Sequence, residues 1–352
     1  MAQSISKQSQ LIDNVINKNI CVKCGACVGL CPYFDYFDGK VVVMDKCNSD
    51  TGRCLEFCPR SDYIDIPQGQ SKICKENQSE IGSYISIFKA RACNSDIVDK
   101  AQYGGVVSSL IIHALNKGII DSALLINKGN NLSPKTRIVT NSSEVLNCAG
   151  SRYTSSAGLG ELNRAITKGE RNIGFVGLPC QMEALARMDS VNQDDEEMIK
   201  GINLRIGLFC TWALDYRTFN KYIKSIGIKE PIIKYDIPPP PANVFKLLTE
   251  NGWQELPLDD VKPFIQKGCS LCEDMTAQLA DISIGMFEGD EEWNTVIIRN
   301  DKGSQFINEA IEIGVITTEI LPKESENHLK EASRNKREKG IIATNEMRPQ
   351  TE

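Results

Sequence analysis

The chain has 352 residues, of which 41% are hydrophobic and 24% charged, and its formal net charge is −6. These values are ordinary for a globular protein, so the composition excludes global disorder, collagen and coiled coil. At roughly 150 residues per domain, the length predicts two or three domains with a sizeable buried core. The net negative charge and the lack of a basic patch exclude nucleic acid as a ligand.

Cysteine is the residue type that departs from the ordinary, with 14 cysteines beside two histidines. Because only His113 and His328 offer imidazoles, the sequence disfavours most hydrolases and most histidine-based zinc or general-base chemistry. The N-terminus lacks a charged segment followed by an apolar core, and the longest uncharged stretch, 101–116, is too short to span a bilayer. We therefore expect a cytoplasmic protein without a transmembrane segment, whose clustered cysteines bind metal or carry redox chemistry.

The predicted elements form two blocks along the chain. An apolar stripe at 11–16 predicts a helix ahead of the cysteine-rich residues 20–60, in which 39–43 suggest a turn and a strand. From about residue 85, strand-like and helix-like segments alternate, which favours an α/β domain with a partly parallel sheet. Helices are predicted at 106–116, after Cys180 and at 216–226, strands at 123–126, 173–176, 204–209 and 296–298, and a hairpin at 244–256 with its turn at Asn251-Gly252.

The first cysteine motif has the spacing of an iron-sulfur ligand run. It reads Cys21-x2-Cys24-x2-Cys27-x3-Cys31-Pro32. Such a run presents thiolates from successive tight turns to one cluster, and in two-cluster ferredoxins its fourth cysteine ligates the other cluster. We therefore expect Cys21, Cys24 and Cys27 to share a cluster with Cys58; structural zinc is the alternative.

The second motif, Cys47-x6-Cys54-x3-Cys58-Pro59, is irregular. A regular run would have a cysteine three places after Cys47, where this chain has Asp50, followed by one extra residue before Cys54. A second cluster would then be held by Cys31, Cys47 and Cys54. Its fourth corner could be filled by Asp50 or by a solvent ligand, or the cluster could be a three-iron species. Asp50 also suits a plain turn.

Four further cysteines are scattered over the second block. Cys269-x2-Cys272 is a metal-type pair, Cys180 follows a strand-to-helix turn, and Cys210 ends a predicted strand. Strand ends and helix starts gather on one rim of an open α/β sheet, where ligands bind. Four thiols could thus meet in space, although buried free cysteines are also common core residues.

Two glycine-containing segments suit a phosphorylated cofactor. Gly104-Gly105 opens a predicted helix, which is a favourable place for a phosphate. The loop 150–156 offers hydroxyls, a guanidinium and an aromatic ring. A tight turn and a plain loop would explain both without a ligand, and neither is a Rossmann fingerprint.

Five segments, taken in order, resemble a known family. They are Gly104–Ser108, Gly150–Tyr153, Gly177–Gln181, Gly207–Cys210 and Cys269–Asp274 followed by Leu279–Gly285. Together they closely resemble the beta-subunit family of coenzyme F420 hydrogenases and dehydrogenases, with a ferredoxin module in front. The resemblance spans roughly residues 20–325.

The resemblance implies FAD and a [4Fe-4S] cluster within the catalytic domain. It implies that Cys180, Cys210, Cys269 and Cys272 hold that cluster. Flavin contacts are implied for Gly104, Gly105, Val106, Ser108, Gly150, Ser151, Arg152, Tyr153 and Ser155. No catalytic side chain is expected, because hydride transfer takes place at the flavin and the protein supplies binding and electrostatics. Cys74, Cys93 and Cys148 match no motif and are expected to be packing or incidental thiols.

The expected fold class is α+β or α/β, with a bacterial-ferredoxin-like iron-sulfur module followed by an α/β catalytic domain that binds FAD and [4Fe-4S]. The expected boundaries are 1–67 for the ferredoxin-type domain, 68–84 for a linker, 85–170 and 171–325 for the two parts of the catalytic domain, and 326–352 for a helical, charged tail that is solvated.

The expected function is that of an iron-sulfur flavoprotein oxidoreductase subunit. It would move hydride between coenzyme F420 and FAD, and single electrons through two to three [4Fe-4S] clusters. Its partner would be a hydrogenase, formate dehydrogenase, heterodisulfide reductase or similar redox subunit, or ferredoxin. Two alternatives stay open: an FAD and iron-sulfur enzyme that uses NAD(P)H, ferredoxin or an organic substrate, and a flavin-free electron-relay subunit.

Overall fold

The structure, a computed structural model, describes residues 6–61, 79–127, 134–191, 201–239 and 241–347. The strands in these ranges are Phe34–Phe37 (β1), Lys40–Val43 (β2), Ser86–Ala92 (β3), Ser122–Asn127 (β4), Lys135–Val139 (β5), Ile173–Gly177 (β6), Ile202–Leu208 (β7), Lys234–Asp236 (β8), Val244–Thr249 (β9), Gly252–Pro257 (β10), Ile282–Met286 (β11), Asn294–Ile298 (β12) and Ile316–Ile320 (β13). Cys74 and most of the expected linker lie outside the described residues.

The helices alternate with these strands from residue 95 onward. The α-helices are Lys7–Leu11 (α1), Arg53–Glu56 (α2), Ser95–Lys100 (α3), Val106–Asn116 (α4), Ser142–Asn147 (α5), Gly158–Thr167 (α6), Pro179–Val191 (α7), Tyr216–Ser225 (α8), Leu258–Val261 (α9), Asp301–Glu312 (α10) and Lys323–Met347 (α11). A π-helical segment at Ile12–Ile16 continues α1, and 3-10 turns occupy Lys262–Phe264 and Lys267–Leu271.

A mixed sheet organises the second block. Its eight strands in the described residues run in the order β13-β3-β12-β11-β7-β6-β4-β5. The central strands β4, β6, β7 and β11 pair in parallel, whereas β5, β12, β3 and β13 pair with their neighbours in antiparallel fashion. The predicted α/β architecture with a partly parallel sheet is therefore confirmed.

The predicted hairpin is also present, with a shifted turn. Strand β9 pairs with β10, and Thr249 lies opposite Gly252, so the turn residues are Glu250 and Asn251 rather than Asn251 and Gly252. Gly252 begins the return strand with φ of 99°, a conformation that glycine adopts without a Cβ penalty. Strand β8 extends this hairpin to a small three-stranded sheet.

The N-terminal cysteine block shares its core with the catalytic domain. Val22, Cys24, Ala26 and Phe57 pack in one apolar cluster with residues of α6 and α7. The size of this small block would by itself predict a fold that depends on bound metal alone. The shared apolar cluster adds stabilising contacts with the larger block. Backbone contact is close as well: an added Cβ at Gly25 would lie 2.7 Å from the carbonyl oxygen of Ala157.

The last helix, α11, lies against the protein over much of its length. The sequence predicts a solvated, charged tail from residue 326, but Ser333, Gly340 and Thr344 are buried. These small residues recur at spacings of seven and four, so they share one helical face. The other faces of the helix carry many charged residues, so the composition of this segment does not reveal its buried face. In the described residues, no helix is long and apolar enough to cross a membrane.

Candidate active site and cysteine groups

A cavity of about 730 Å³ opens at the carboxyl ends of the parallel strands. Residues at the ends of β4, β6, β7 and β11 line it, which is where an open α/β sheet binds its ligands. The volume lies within the usual range for a cofactor site, about 300–1,000 Å³. Eight of the nine residues with predicted flavin contacts line this cavity: Gly105, Val106, Ser108, Gly150, Ser151, Arg152, Tyr153 and Ser155.

Gly104, the ninth of these residues, is not among the described lining residues. An added Cβ there would lie 2.8 Å from the carbonyl oxygen of Glu292 and 3.0 Å from that of Ala90, so the glycine allows close packing behind the cavity. Gly105 instead has φ of 73° and begins α4 in a left-handed conformation. The amide of Val106 donates to the Asn294 side-chain oxygen at 3.3 Å, which holds the helix start.

Arg152 gives the cavity a partly buried positive charge. Its Nη1 donates to the carbonyl oxygen of Ser151 at 2.6 Å, while its Nε is buried and has no hydrogen-bond partner in the described residues. Burial lowers the pKa of this guanidinium. The other charged residues of the described lining are Lys262 and Glu288. An unsatisfied cationic donor in the wall suits an anionic group such as a pyrophosphate.

Gln102 and Tyr103 belong to the same cavity and were missed by the sequence analysis. The Gln102 side-chain nitrogen donates to the carbonyl oxygen of Tyr235 at 2.9 Å, and the Tyr103 hydroxyl donates to Asp236 at 2.7 Å. Burial, followed by the charge of Tyr153, raises the pKa of Tyr103. Because both residues directly precede the glycine pair, the helix-start motif itself was the signal that pointed to them.

The four scattered cysteines come together beside this cavity. Burial raises the pKa of Cys210 to about 12, and Cys269 and Cys272 contribute to the rise through electrostatics. Burial likewise raises the pKa of Cys180 well above its usual value, with contributions from Cys24, Cys272 and Cys210. We call Cys180, Cys210, Cys269 and Cys272 the catalytic-domain group. Cys210 also lines the cavity, so cavity and thiols share a wall.

The first motif forms a second group of thiols. Burial raises the pKa of Cys27 well above its usual value, and Cys21, Cys24 and Cys58 are among the neighbours that raise it further. Burial raises the pKa of Cys24 to about 12. The distant Cys58 thus lies with the three cysteines that the spacing assigned to it, and we call these four the inner N-terminal group.

The other three cysteines of the two N-terminal motifs, Cys31, Cys47 and Cys54, form the outer N-terminal group. Burial raises the pKa of Cys54 to about 11, helped by Cys31 and then by Cys47. Asp50 is exposed and lies in a bend. The side-chain hydroxyls of its two chain neighbours, Ser49 and Thr51, are hydrogen-bonded to each other at 3.3 Å. Its predicted role as a ligand therefore stays a prediction.

Two described cysteines, Cys93 and Cys148, belong to none of the three groups. Cys93 is exposed, whereas Cys148 is buried and lines the cavity. In the described ranges, no group of three or more His, Cys, Asp or Glu side chains is arranged to hold a metal ion. A zinc ion bound by four thiolates at 2.3 Å would draw the sulfurs to within about 3.8 Å of each other. The thiol groups are thus neighbours without forming a compact single-ion site.

Two buried basic residues tie the N-terminal block to the catalytic domain. Arg60 donates to the carbonyl oxygen of Gly268, just before Cys269, at 3.1 Å. Lys23 pairs with Asp215, the residue that caps α8. The Lys23 interaction lowers the pKa of Asp215 against the opposing effect of burial. Sequence spacing alone carried no signal for either contact, because each joins residues about 190 to 210 positions apart.

Two family profiles match the second block of the chain. The sequence profile of the coenzyme F420 hydrogenase/dehydrogenase beta subunit N-terminus matches residues 87–163, and that of its C-terminus matches 170–324. The chain is 29% identical over 276 residues to the coenzyme F420 hydrogenase subunit beta of Methanothermobacter thermautotrophicus, covering 76% of this chain and 97% of that protein.

Two further similarities differ in their extent. The chain is 30% identical over 326 residues to the coenzyme F420-dependent sulfite reductase of Methanocaldococcus jannaschii, which covers 88% of this chain but 49% of that protein. A chain in a structure of the F420-reducing [NiFe] hydrogenase complex of Methanosarcina barkeri matches with a TM-score of 0.70 and 25% identity, over 78% of this chain and 94% of that one. The protein therefore belongs to the coenzyme F420 hydrogenase/dehydrogenase beta subunit family, whose members are oxidoreductases.

Proposed function

We propose that this chain moves electrons between coenzyme F420 and a redox partner, through FAD and three iron-sulfur clusters. The observation that carries the proposal is the shared wall at Cys210, which lines the cavity and also belongs to the catalytic-domain group. Bound there, a flavin would exchange hydride with F420 and single electrons with a cluster. The protein would position these groups.

The cavity residues suit this role by their chemistry. Gly105 brings the start of α4 to the cavity without a side chain, and helix starts favour phosphate oxygens. Arg152 offers its unpartnered Nε to an anionic group. Loop 150–155 supplies the remaining polar contacts. A site of this kind favours the flavin enzyme over the flavin-free relay, which needs no such cavity.

The thiol groups form a route that leads away from the cavity. Cys180 of the catalytic-domain group packs in the same apolar cluster as Cys24 of the inner N-terminal group. Cys27 of the inner group packs in another apolar cluster with Cys54 of the outer group. Thiolate ligation of clusters at the three groups would give electrons three steps, ending at the exposed segment around Asp50. The fourth corner of the outer cluster would then be Asp50, solvent or a vacancy in a three-iron species.

The partner is proposed to be another redox subunit. The matched sulfite reductase of Methanocaldococcus jannaschii has about half of its length outside the similarity to this chain. The matched solved chain lies in a hydrogenase complex. Both observations support a chain that supplies electrons to, or takes them from, a second redox unit.

Reduction by F420 under anaerobic conditions tests the function. The purified protein should contain about one FAD and roughly twelve iron atoms, or eleven with a three-iron cluster. Reduced F420 should bleach the flavin and then reduce a viologen dye. NAD(P)H and ferredoxin, supplied separately, should not match that rate; a faster reaction with either one would refute the F420 assignment.

Two cysteine variants test the ligand assignment. Cys272→Ser should lower the iron content by about one to four atoms per chain, because a cubane that loses a thiolate ligand either sheds one iron or is lost entirely. Cys93→Ser is the matched control, since Cys93 is exposed and belongs to none of the three groups. Equal iron in the two variants would show that Cys272 holds no cluster.

A further inference from the structure

The last helix, α11, connects the cavity with the cysteine groups. Ser325 and Leu329 near its start line the cavity. Ala343 and Met347 near its end pack against the core of the N-terminal block. Twenty-five helical residues span about 37 Å at 1.5 Å per residue. Nearly all of this helix lies beyond residue 324, where the family match ends.

Midway along this helix, Gly340 rests on the loop that carries Cys272. A Cβ at Gly340 would lie 3.1 Å from both the carbonyl carbon and the carbonyl oxygen of Cys272. The helix therefore approaches this loop as closely as a glycine permits. Lys336 lies four residues earlier, on the same face.

Lys336 points its ammonium group at the catalytic-domain group. Its Nζ donates to the carbonyl oxygen of Cys210. The groups near it that can carry negative charge are Cys272, Cys210, Asp274 and Cys269. The Asp274 carboxylate accepts hydrogen bonds from the backbone amides of Thr276 and Gln278, at 2.9 Å each, rather than from Lys336.

The ammonium has no carboxylate within 4.0 Å in the described parts of the chain. A partly buried cation loses hydration and needs an anion near it to be stable. A cluster bound by four thiolates carries net negative charge, and reduction adds one more negative charge. Beside the hydrogen-bonded Asp274, the charge that Lys336 can balance is thus that of a cluster bound by the catalytic-domain group.

We propose that Lys336 is a positioning residue that raises the reduction potential of a cluster held by Cys180, Cys210, Cys269 and Cys272. The inference rests on the proposed function, since it requires that cluster. A fixed positive charge stabilises the reduced cluster more than the oxidised one, because the reduced form is more negative. The cluster next to the cavity thereby becomes a better acceptor for electrons that leave a flavin.

The test is a redox titration followed by electron paramagnetic resonance, using full-length, iron-loaded protein without F420. Lys336→Gln removes the charge and keeps a hydrogen-bond donor, and Lys336→Arg keeps the charge. Lys339→Gln is the matched control, since Lys339 is exposed on the same helix. The signal of the catalytic-domain cluster is the one that Cys272→Ser removes.

At a fixed applied potential, Lys336→Gln should lower the ratio of reduced to oxidised cluster at least tenfold, about 59 mV for a one-electron step. Lys336→Arg and Lys339→Gln should keep the wild-type potential. An unchanged potential in Lys336→Gln at full iron content overturns the proposal. If Lys336→Gln loses iron, the Lys336→Arg variant distinguishes the two explanations. Wild-type iron content and reduction potential in Lys336→Arg would support a role for the positive charge. Loss of iron in Lys336→Arg as well would show a purely structural role and overturn the proposal.

The proposed function fails in a different way. If wild-type protein has no signal that Cys272→Ser removes, the catalytic-domain cluster itself is absent. A wild-type signal with an unaffected Lys336→Gln potential refutes the role of Lys336 alone.

Discussion

Arg60 links the loop before Cys269 with the segment that follows Cys58. The loss of stability in Arg60→Met reports how much this link contributes to the free energy of unfolding. The side chain is 2% exposed. It donates to the carbonyl oxygens of Gly268 at 3.1 Å and of Pro59 at 2.8 Å, and it faces the Glu183 carboxylate at 3.7 Å. Methionine fills much of the same space but leaves these two carbonyl oxygens without the donor.

The expected loss follows from these contacts. A hydrogen bond from a charged donor contributes about 1.5–3 kcal/mol, so losing two lowers the free energy of unfolding by about 3–6 kcal/mol. Glu183 keeps Arg187 at 3.1 Å, so the lost ion pair adds little. Arg334→Met is the matched control: Arg334 also faces a carboxylate at 3.7 Å but is 52% exposed. Its expected change is below about 1 kcal/mol.

Anaerobic denaturant unfolding, with iron content measured in parallel, checks the prediction. Iron must be matched between samples, because bound metal adds its own binding energy to stability. If the Arg60 variant loses no more stability than the Arg334 variant at equal iron content, the reasoning about a buried junction is wrong.

Three further substitutions test separate features. In Gly268→Ala, the new Cβ would lie 2.1 Å from the Ile20 carbonyl oxygen; the forced shift should lower the free energy of unfolding by about 1–3 kcal/mol in denaturant. In Gly105→Val, the left-handed backbone at φ of 73° cannot be kept without strain, so the FAD content measured by absorbance should fall, and an unchanged content would contradict the cavity assignment. Burial lowers the pKa of His113, so the folded chain binds fewer protons than the unfolded chain, and stability falls as pH drops through the ordinary value of about 6.5. His113→Gln should flatten this slope between about pH 5 and 7, and an unchanged slope in that variant would contradict the prediction.

Much of the catalytic domain follows from local sequence patterns. Helix 106–116 is found at the predicted residues, and the strands that begin near 123 and 173 differ from prediction by one residue at most at each end. These segments are predictable because their apolar periodicity is strong and glycines bound them. Cysteine spacing predicted the two N-terminal thiol groups and the family resemblance implied the catalytic-domain group; that the three groups hold clusters stays a prediction.

The contacts that hold the blocks together were not predictable from the sequence. The small size of the N-terminal block suggests a fold that depends on its metal, yet Asn163 of α6 donates to the carbonyl oxygens of Ala26 at 3.1 Å and Val28 at 2.7 Å. Such contacts use backbone oxygens, which every residue carries, so no residue type marks them. The buried face of α11 escaped prediction for a related reason: small residues that allow close packing have no distinctive hydrophobicity.

The shared core has a consequence for the proposed electron route. Electron transfer between two clusters slows steeply as they move apart, and a ferredoxin-like module on a flexible linker would spend less of its time at a short separation. Here Cys24 packs in the same apolar cluster as Cys180, and the amide of Leu159 donates to the Cys24 carbonyl oxygen at 3.1 Å. Gly25, next in the chain, allows that approach. This packing therefore fixes the distance between the catalytic-domain group and the inner N-terminal group, across which we propose that electrons pass, so substitutions at this contact should slow electron transfer while leaving the cavity intact.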